Sequence, residues 1–418
     1  MIIALLCDVF LIGGLAFASV EGTLPNIRRL QYITVYAYSW VSEWPLLFIL
    51  LKIGIKVLAS FFGVFRTWLS QAFFVFDILT MIGLVVIFLD GYEARVAIHE
   101  AIKDYSDEVE FPTLSRDLSI FSDTFWNRLV NPFYIPKDVI QYANIAYCTD
   151  NELAEVQTDQ MQSLSLDIYT RRDTLATLKP VFLFIHGGGW VRGDKASPYP
   201  LIRHLAESGL TVVAINYRLA SVAPYPAQLI DAKRALRWVK KTIKNFGGDP
   251  NFIVVGGDGA GGHLAALVAL TPNNADYQPG FELVDTSVQA AVLINAITDV
   301  LNETMVWHSN FAEHFAKKIA KLETNNEDFL RQHSPIHNIK PDSVPFLVFH
   351  GDRDNLVPFQ LSNNFMERFK KVSKSEIQFV QIPGGHHIYH QFTSPRSQYQ
   401  SIGIEKWIKH LYHDGKHE

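Results

Sequence analysis

The run Phe252-Ile253-Val254-Val255-Gly256-Gly257-Asp258-Gly259-Ala260-Gly261-Gly262-His263-Leu264-Ala265-Ala266-Leu267 decides how this chain is read. It opens on four apolar β-formers and closes on an Ala/Leu helix, with a glycine cluster between them. A strand that turns sharply into a helix through small residues has the outline of a nucleophile elbow, whose pattern is G-x-S-x-G. Here the five positions are Gly257-Asp258-Gly259-Ala260-Gly261, so the turn's backbone requirements are met while the attacking position has no side chain.

Outward from this run, strands and helices alternate. Val181–Ile185, Thr211–Ile215, Phe252–Val255, Gln289–Ile294, Phe346–Phe349 and Glu376–Ile382 read as strands. Leu201–Ser208, Ala227–Phe246, Gln360–Lys371 and Gln400–Tyr412 read as helices by their apolar spacing. Such alternation predicts an α/β domain over 166–418, a mainly parallel sheet covered by helices. Ligands then sit beyond the carboxyl ends of the strands.

Three motifs fall at those ends. His186-Gly187-Gly188-Gly189-Trp190 follows its strand directly, and glycines let backbone N–H groups approach a developing oxyanion. With the N–H that follows the attacking position, this makes Gly188, Gly189 and Ala260 the candidate oxyanion hole. In His350-Gly351-Asp352-Arg353-Asp354 a carboxylate can orient a histidine, and Asp354 is the better placed, Asp352 lying close enough to the strand to serve the turn. In Pro383-Gly384-Gly385-His386-His387 both histidines are candidate bases, and the order elbow, acid, base is that of the hydrolases that use this elbow. His390 raises a metal reading, but no acidic ligand cluster accompanies it, so no metal is expected.

From about Lys179 to Lys409 the chain resembles the hormone-sensitive-lipase branch of the α/β hydrolases, the carboxylesterases and lipases. The resemblance rests on His186-Gly-Gly-Gly-Trp190, Asn216-Tyr217-Arg218-Leu219, Gly247-Gly248-Asp249-Pro250, the elbow, His350-Gly-x-x-Asp354 and Pro383-Gly-Gly-His-His387. The chain is similar in particular to bacterial membrane-anchored esterases, which match it again from Leu270 to Ala291. The resemblance implies an α/β hydrolase fold, a small acyl-ester substrate and no cofactor. With Ser394-Pro395-Arg396 behind the last motif, it also implies His387 as the catalytic histidine.

The departure is at Gly259, where the family carries the nucleophilic serine. Loss of that serine costs roughly 10⁶-fold in kcat in subtilisin, a case on which the general rule is built. Two other chemistries are weighed: Asp258 as an aspartyl nucleophile in a shifted register, and direct water attack with His387 as base. Against the disabled esterase stands a pseudoenzyme that uses the retained pocket to bind a lipophilic ligand as a receptor or scaffold. Phe311, Phe315 and Trp307, within 302–333, are expected to cover the pocket.

The 418 residues leave room for more than one such domain, and 48% hydrophobic content with mean hydropathy of +0.09 places an apolar excess near the start. Net charge of −5 gives no reason to expect nucleic-acid binding, and two cysteines exclude a disulfide framework. Ile2–Val20, Trp44–Phe65 and Phe73–Leu89 are apolar runs. They predict a membrane region over 1–90 with about three spans, and hence a multi-pass membrane protein. Lys52 and Lys56, four apart in the second run, suit a helix-bundle interior or snorkelling better than lipid. Arg28 and Arg29 argue for one side of the membrane, and the sequon Asn302-Glu303-Thr304 for the other. Residues 91–165 are expected to form a packed connector or cap.

Overall fold

The computed structural model describes residues 39–62, 68–105, 137–149, 152, 164–172, 177–307, 310–324 and 326–414. Among the described residues, eight strands form one sheet: β1 (Val139–Ala146), β2 (Ser165–Arg171), β3 (Lys179–Ile185), β4 (Thr211–Ile215), β5 (Gly248–Asp258), β6 (Ala290–Ile294), β7 (Phe346–Gly351) and β8 (Ile377–Ile382). Their order is β1-β2-β4-β3-β5-β6-β7-β8. β1 and β2 run antiparallel at one edge, and all pairs from β4 to β8 are parallel. Every parallel strand therefore presents its carboxyl end at the same edge, where the three motifs and the elbow leave the sheet.

The helices are α1 (Pro45–Phe61), α2 (Trp68–Ile102), α3 (Pro200–Glu207), α4 (Ala227–Thr242), α5 (Ala260–Leu270), α6 (Phe311–His314), α7 (Glu327–Gln332), α8 (Gln360–Val372) and α9 (Pro395–Asp414). Successive strand residues face opposite sides, so one β-run feeds two cores. Leu183, Val255, Leu293 and Val348 pack with Leu236 of α4, Leu264 of α5 and Phe365 of α8. Phe182, Val254, Val292 and Leu347 pack on the other side with Leu205 of α3, Trp407 of α9 and Ile98 of α2. Central strands covered on both faces need no polar alternation, which is why they read as continuous apolar runs. All eleven residues of α5 are buried, in keeping with its Ala/Leu/Gly composition.

Two expected boundaries move. β1, inside the stretch read as a connector, is the edge strand of the sheet, so the domain begins by 139 rather than 166. Its partly exposed, polar-interrupted sequence hid it. The boundary at 90 falls within α2, whose last part supplies Ala94, Ile98 and Ile102 to the second core. Of the apolar runs, Ile2–Val20 lies outside the described residues, as do Arg28 and Arg29 and, within the expected connector, residues 106–136. Among the described residues no helix is long and apolar enough to cross a membrane. Phe48 and Ile49 of α1 pack with Val41, just before it, against Leu84 and Ile87 of α2, and Lys52 and Lys56 both pair with Asp77, Lys52 at 2.6 Å. The lysine spacing thus faces a helix–helix contact.

Candidate active site

The elbow begins where β5 ends. Gly259 has φ +51° and ψ −113°, a backbone conformation that an L side chain adopts only under strain, and Ala260 starts α5 immediately after it. The turn is held by Gly259 N–H donating to the Ile294 carbonyl at 2.9 Å and by its own carbonyl accepting from His263 N–H at 3.0 Å. The flanking glycines are there for space. A Cβ on Gly261 would lie 2.1 Å from the Ile185 carbonyl oxygen, and one on Gly257 2.5 Å from the Gly261 backbone. Position 259 itself is open: a Cβ there would lie 3.4 Å from His387 Nε2 and 3.6 Å from its Cε1, ordinary contact distances.

The other ring nitrogen of His387 meets the acid. Its Nδ1 lies 2.7 Å from Asp354 Oδ2, while Asp354 Oδ1 accepts the N–H groups of Leu356 at 2.9 Å and Val357 at 2.8 Å. Burial works against the carboxylate, yet His387 and His350 beside it hold Asp354 well below the ordinary carboxylate range. Burial likewise disfavours a charged His387, but Asp354, with Asp258 adding to it, raises that imidazole above its usual value. The sequence left two histidines after β8, and only His387 is in contact with the acid. Burial, reinforced by Arg396 and Arg353, pushes His386 down to about 4. Asp352 accepts the Gly384 N–H at 2.8 Å and so serves the turn.

The glycine loop after β3 carries positive φ at Gly188 (+112°), Gly189 (+63°) and Trp190 (+61°). A Cβ at Gly188 would strike the Arg192 carbonyl oxygen at 2.1 Å, whereas nothing lies within 4 Å of one at Gly189. Trp190 is buried and anchors the loop on His263 and Phe315, with ring centroids 5.1 and 5.0 Å away. Ala260, the third expected donor, is the first residue of α5, where the helix dipole favours negative charge. Phe315 lies in the core, while Trp307 and Phe311 stack on each other at 4.0 Å outside it.

Asp258 is committed to partners other than His387. Its Oδ1 accepts the Gly187 N–H at 2.7 Å and its Oδ2 lies 3.1 Å from His390 Nε2, so both oxygens are engaged in a buried cluster. That removes the shifted-register aspartyl nucleophile and gives His390 a structural partner. Among the described residues no group of His, Cys, Asp and Glu could hold a metal ion.

Sequence reasoning missed Asn295 and His350. Asn295, just past β6, donates from Nδ2 to the His387 carbonyl at 2.5 Å and accepts the Gly351 N–H on Oδ1 at 2.9 Å, joining the base and acid loops. An asparagine directly beyond a buried strand was the available signal. His350 packs 3.3 Å from Asp354 Oδ2 and hydrogen-bonds Ser362 Oγ at 2.7 Å, a role no local pattern announces.

A mostly parallel sheet with an elbow after β5, an acid after β7, a histidine after β8 and a glycine loop after β3 has the arrangement of the α/β-hydrolase fold. The BD-FAE family model matches residues 166–369. A probable carboxylic ester hydrolase of Mycobacterium tuberculosis, LipM, is 39% identical over 250 residues, covering 59% of this chain and 58% of LipM. Esterase LipQ of the same organism is 33% identical over 251 residues, covering 59% of each. The chain thus spans about three-fifths of the length of these curated relatives. Among solved structures, a thermophilic esterase from Thermogutta terrifontis superposes with a TM-score of 0.53 at 26% identity, covering 68% of this chain and 96% of that one. The same esterase with propionate bound gives a TM-score of 0.50 at 26% identity, covering 66% and 93%. By fold and by these similarities the domain resembles the hormone-sensitive-lipase-like carboxylesterases.

Proposed function

We propose that this chain is a membrane-associated carboxylic ester hydrolase whose catalytic frame is complete except for the nucleophile, and that it is silent in acyl transfer as it stands. The observation that carries this is the open 3.4 Å approach from a Cβ at position 259 to His387 Nε2, with Asp354 at 2.7 Å behind the ring. A serine at 259 places its Oγ one bond further out, beside that nitrogen. It attacks the ester carbonyl while His387 takes its proton; Gly188, Gly189 and Ala260 stabilise the oxyanion, and His387 returns the proton to the leaving alcohol. Water then hydrolyses the acyl-enzyme by the same route in reverse roles. No cofactor enters this chemistry. Substrates of short acyl chain are favoured, in keeping with the propionate held by the similar thermophilic esterase. With Gly259, direct water attack assisted by His387 retains only a small residual rate, roughly 10³–10⁴-fold over water on the subtilisin precedent.

Membrane association rests on α1 and α2, which expose Leu50, Val57, Phe61, Leu79, Ile82 and Leu89 while pairing their internal charges at Lys52, Lys56 and Asp77. It also rests on the apolar run Ile2–Val20.

The test is covalent. A fluorophosphonate probe incubated with the full chain labels the Gly259→Ser variant at residue 259 and leaves the unaltered chain unlabelled. Absence of labelling in a folded Gly259→Ser chain contradicts the hydrolase reading. It favours a pocket that binds a lipophilic ligand without turning it over.

A further inference from the structure

The histidine loop is gripped from behind by the N-terminal helices. Arg396, at the start of α9, is 2% exposed, and its Nε donates to the Pro383 carbonyl at 2.8 Å, four residues before His387. Its Nη1 donates to the Ser42 carbonyl at 3.0 Å and lies 3.3 Å from Glu43 Oε1; Glu43 is also 2% exposed. Ser42 Oγ donates to the same carboxylate oxygen at 3.1 Å. The guanidinium lies against Gly384, where an added Cβ would meet Nη2 at 2.6 Å. Further along the loop, Trp44 Nε1 donates to the Thr393 carbonyl at 3.1 Å and its ring packs edge-on against Phe392 at 5.5 Å. The acid's loop is held as well, because Asp90 of α2 lies 3.5 Å from Arg353, the neighbour of Asp354.

Two fully buried opposite charges are expensive to desolvate, and a fold anchor between helices needs none: apolar side chains of similar size serve equally well or better. What a bidentate guanidinium adds is direction, fixing carbonyls on two separate elements at once. We infer that the segment Ser42–Trp44, with Asp90 of α2, forms a positioning element of the active site, in which Glu43 and Arg396 hold the loop that sets His387 against Asp354. This rests on His387 as the base. The groups that face His387 are Asp354 after β7, Asp258 at the end of β5 and Arg192 of the glycine loop, and none belongs to the N-terminal helices. Glu43 therefore acts on the imidazole only through the backbone it positions.

The experiment uses the full chain with ¹³C-labelled histidine, His387 being assigned by loss of its signal in His387→Gln. Its titration midpoint is followed in the unaltered chain, in Glu43→Gln and in Trp44→Phe, the last removing one hydrogen bond from the loop while keeping an aromatic ring. Loosening the loop weakens the contact with Asp354 that raises His387, so the midpoint falls, by about half a pH unit or more in Glu43→Gln and by less in Trp44→Phe. In the Gly259→Ser background, Glu43→Gln lowers kcat about tenfold with KM little changed, the signature of a misplaced catalytic group. An unmoved His387 midpoint in folded Glu43→Gln overturns the inference. So does an unmoved midpoint in Trp44→Phe should Glu43→Gln fail to fold. A moved midpoint in a chain whose Gly259→Ser form hydrolyses no ester leaves the positioning role standing and removes the hydrolase reading instead.

Discussion

At position 259 the backbone holds φ +51°, where glycine rests at no steric cost and any L residue is strained. Gly259→Ser should therefore lower unfolding free energy by about 1–2 kcal/mol, measured by urea denaturation, while gaining chemistry. A smaller protein cost than that would mean that the turn relaxes, and that the serine no longer points at His387. The dyad behind it makes a pH prediction. His387 is raised in the folded chain, so its contribution to stability is complete below its ordinary value of about 6.5 and is lost as pH rises through the higher folded value. Asp354→Asn removes the cause of the rise. The gap in melting temperature between the two chains should narrow as pH climbs above about 6.5, and in Gly259→Ser the same substitution should cost roughly 10⁴-fold in kcat. A gap independent of pH would show that Asp354 and His387 titrate separately.

At the scale of loops and strand ends, the candidate site could be read in part. Gly188, Gly189, Ala260 and Asp354 were candidates because each follows a buried strand or a glycine cluster, and parallel strands deliver their carboxyl ends to one edge; the residues alone left His386 and His387 open, and the family resemblance chose His387. The roles of Asn295 and His350 were not legible, although an asparagine just beyond a buried strand was a signal, since their work depends on which loops become neighbours after the chain folds. β1 was hidden because an edge strand with partial exposure lacks both the apolar run of a central strand and a clean alternation. The elbow's glycines give the sharpest test of the element. Gly261→Ala forces a Cβ to within 2.1 Å of the Ile185 carbonyl oxygen and 2.4 Å of that of His186, both backbone atoms that cannot yield cheaply. Loss of about 3 kcal/mol or more, or failure to accumulate as folded protein, is expected by circular dichroism and denaturant titration. A near-neutral Gly261→Ala would mean that β3 and α5 do not approach as closely as described.

Over the whole molecule, the N-terminal helices and the sheet are one piece. The apolar runs before residue 90 were read as a membrane region, because an apolar run reports burial and not the partner that covers it. In the structure α2 covers the sheet with Ala94, Ile98 and Ile102, and burying side chains of that kind is worth roughly 1.5–3 kcal/mol for each isoleucine. A chain cut to 106–418 should accordingly melt well below the full chain or aggregate, whereas equal melting temperatures would make α2 dispensable to the domain. Activity measurements belong on the full chain for the same reason. The most direct of them is initial-rate hydrolysis of p-nitrophenyl butyrate by the unaltered chain, Gly259→Ser, and Gly259→Ser with His387→Ala. A frame missing only its nucleophile predicts that Gly259→Ser alone turns over, at least about 10³-fold above the other two. Equal rates for the unaltered chain and Gly259→Ser would contradict it and move the nucleophile away from position 259.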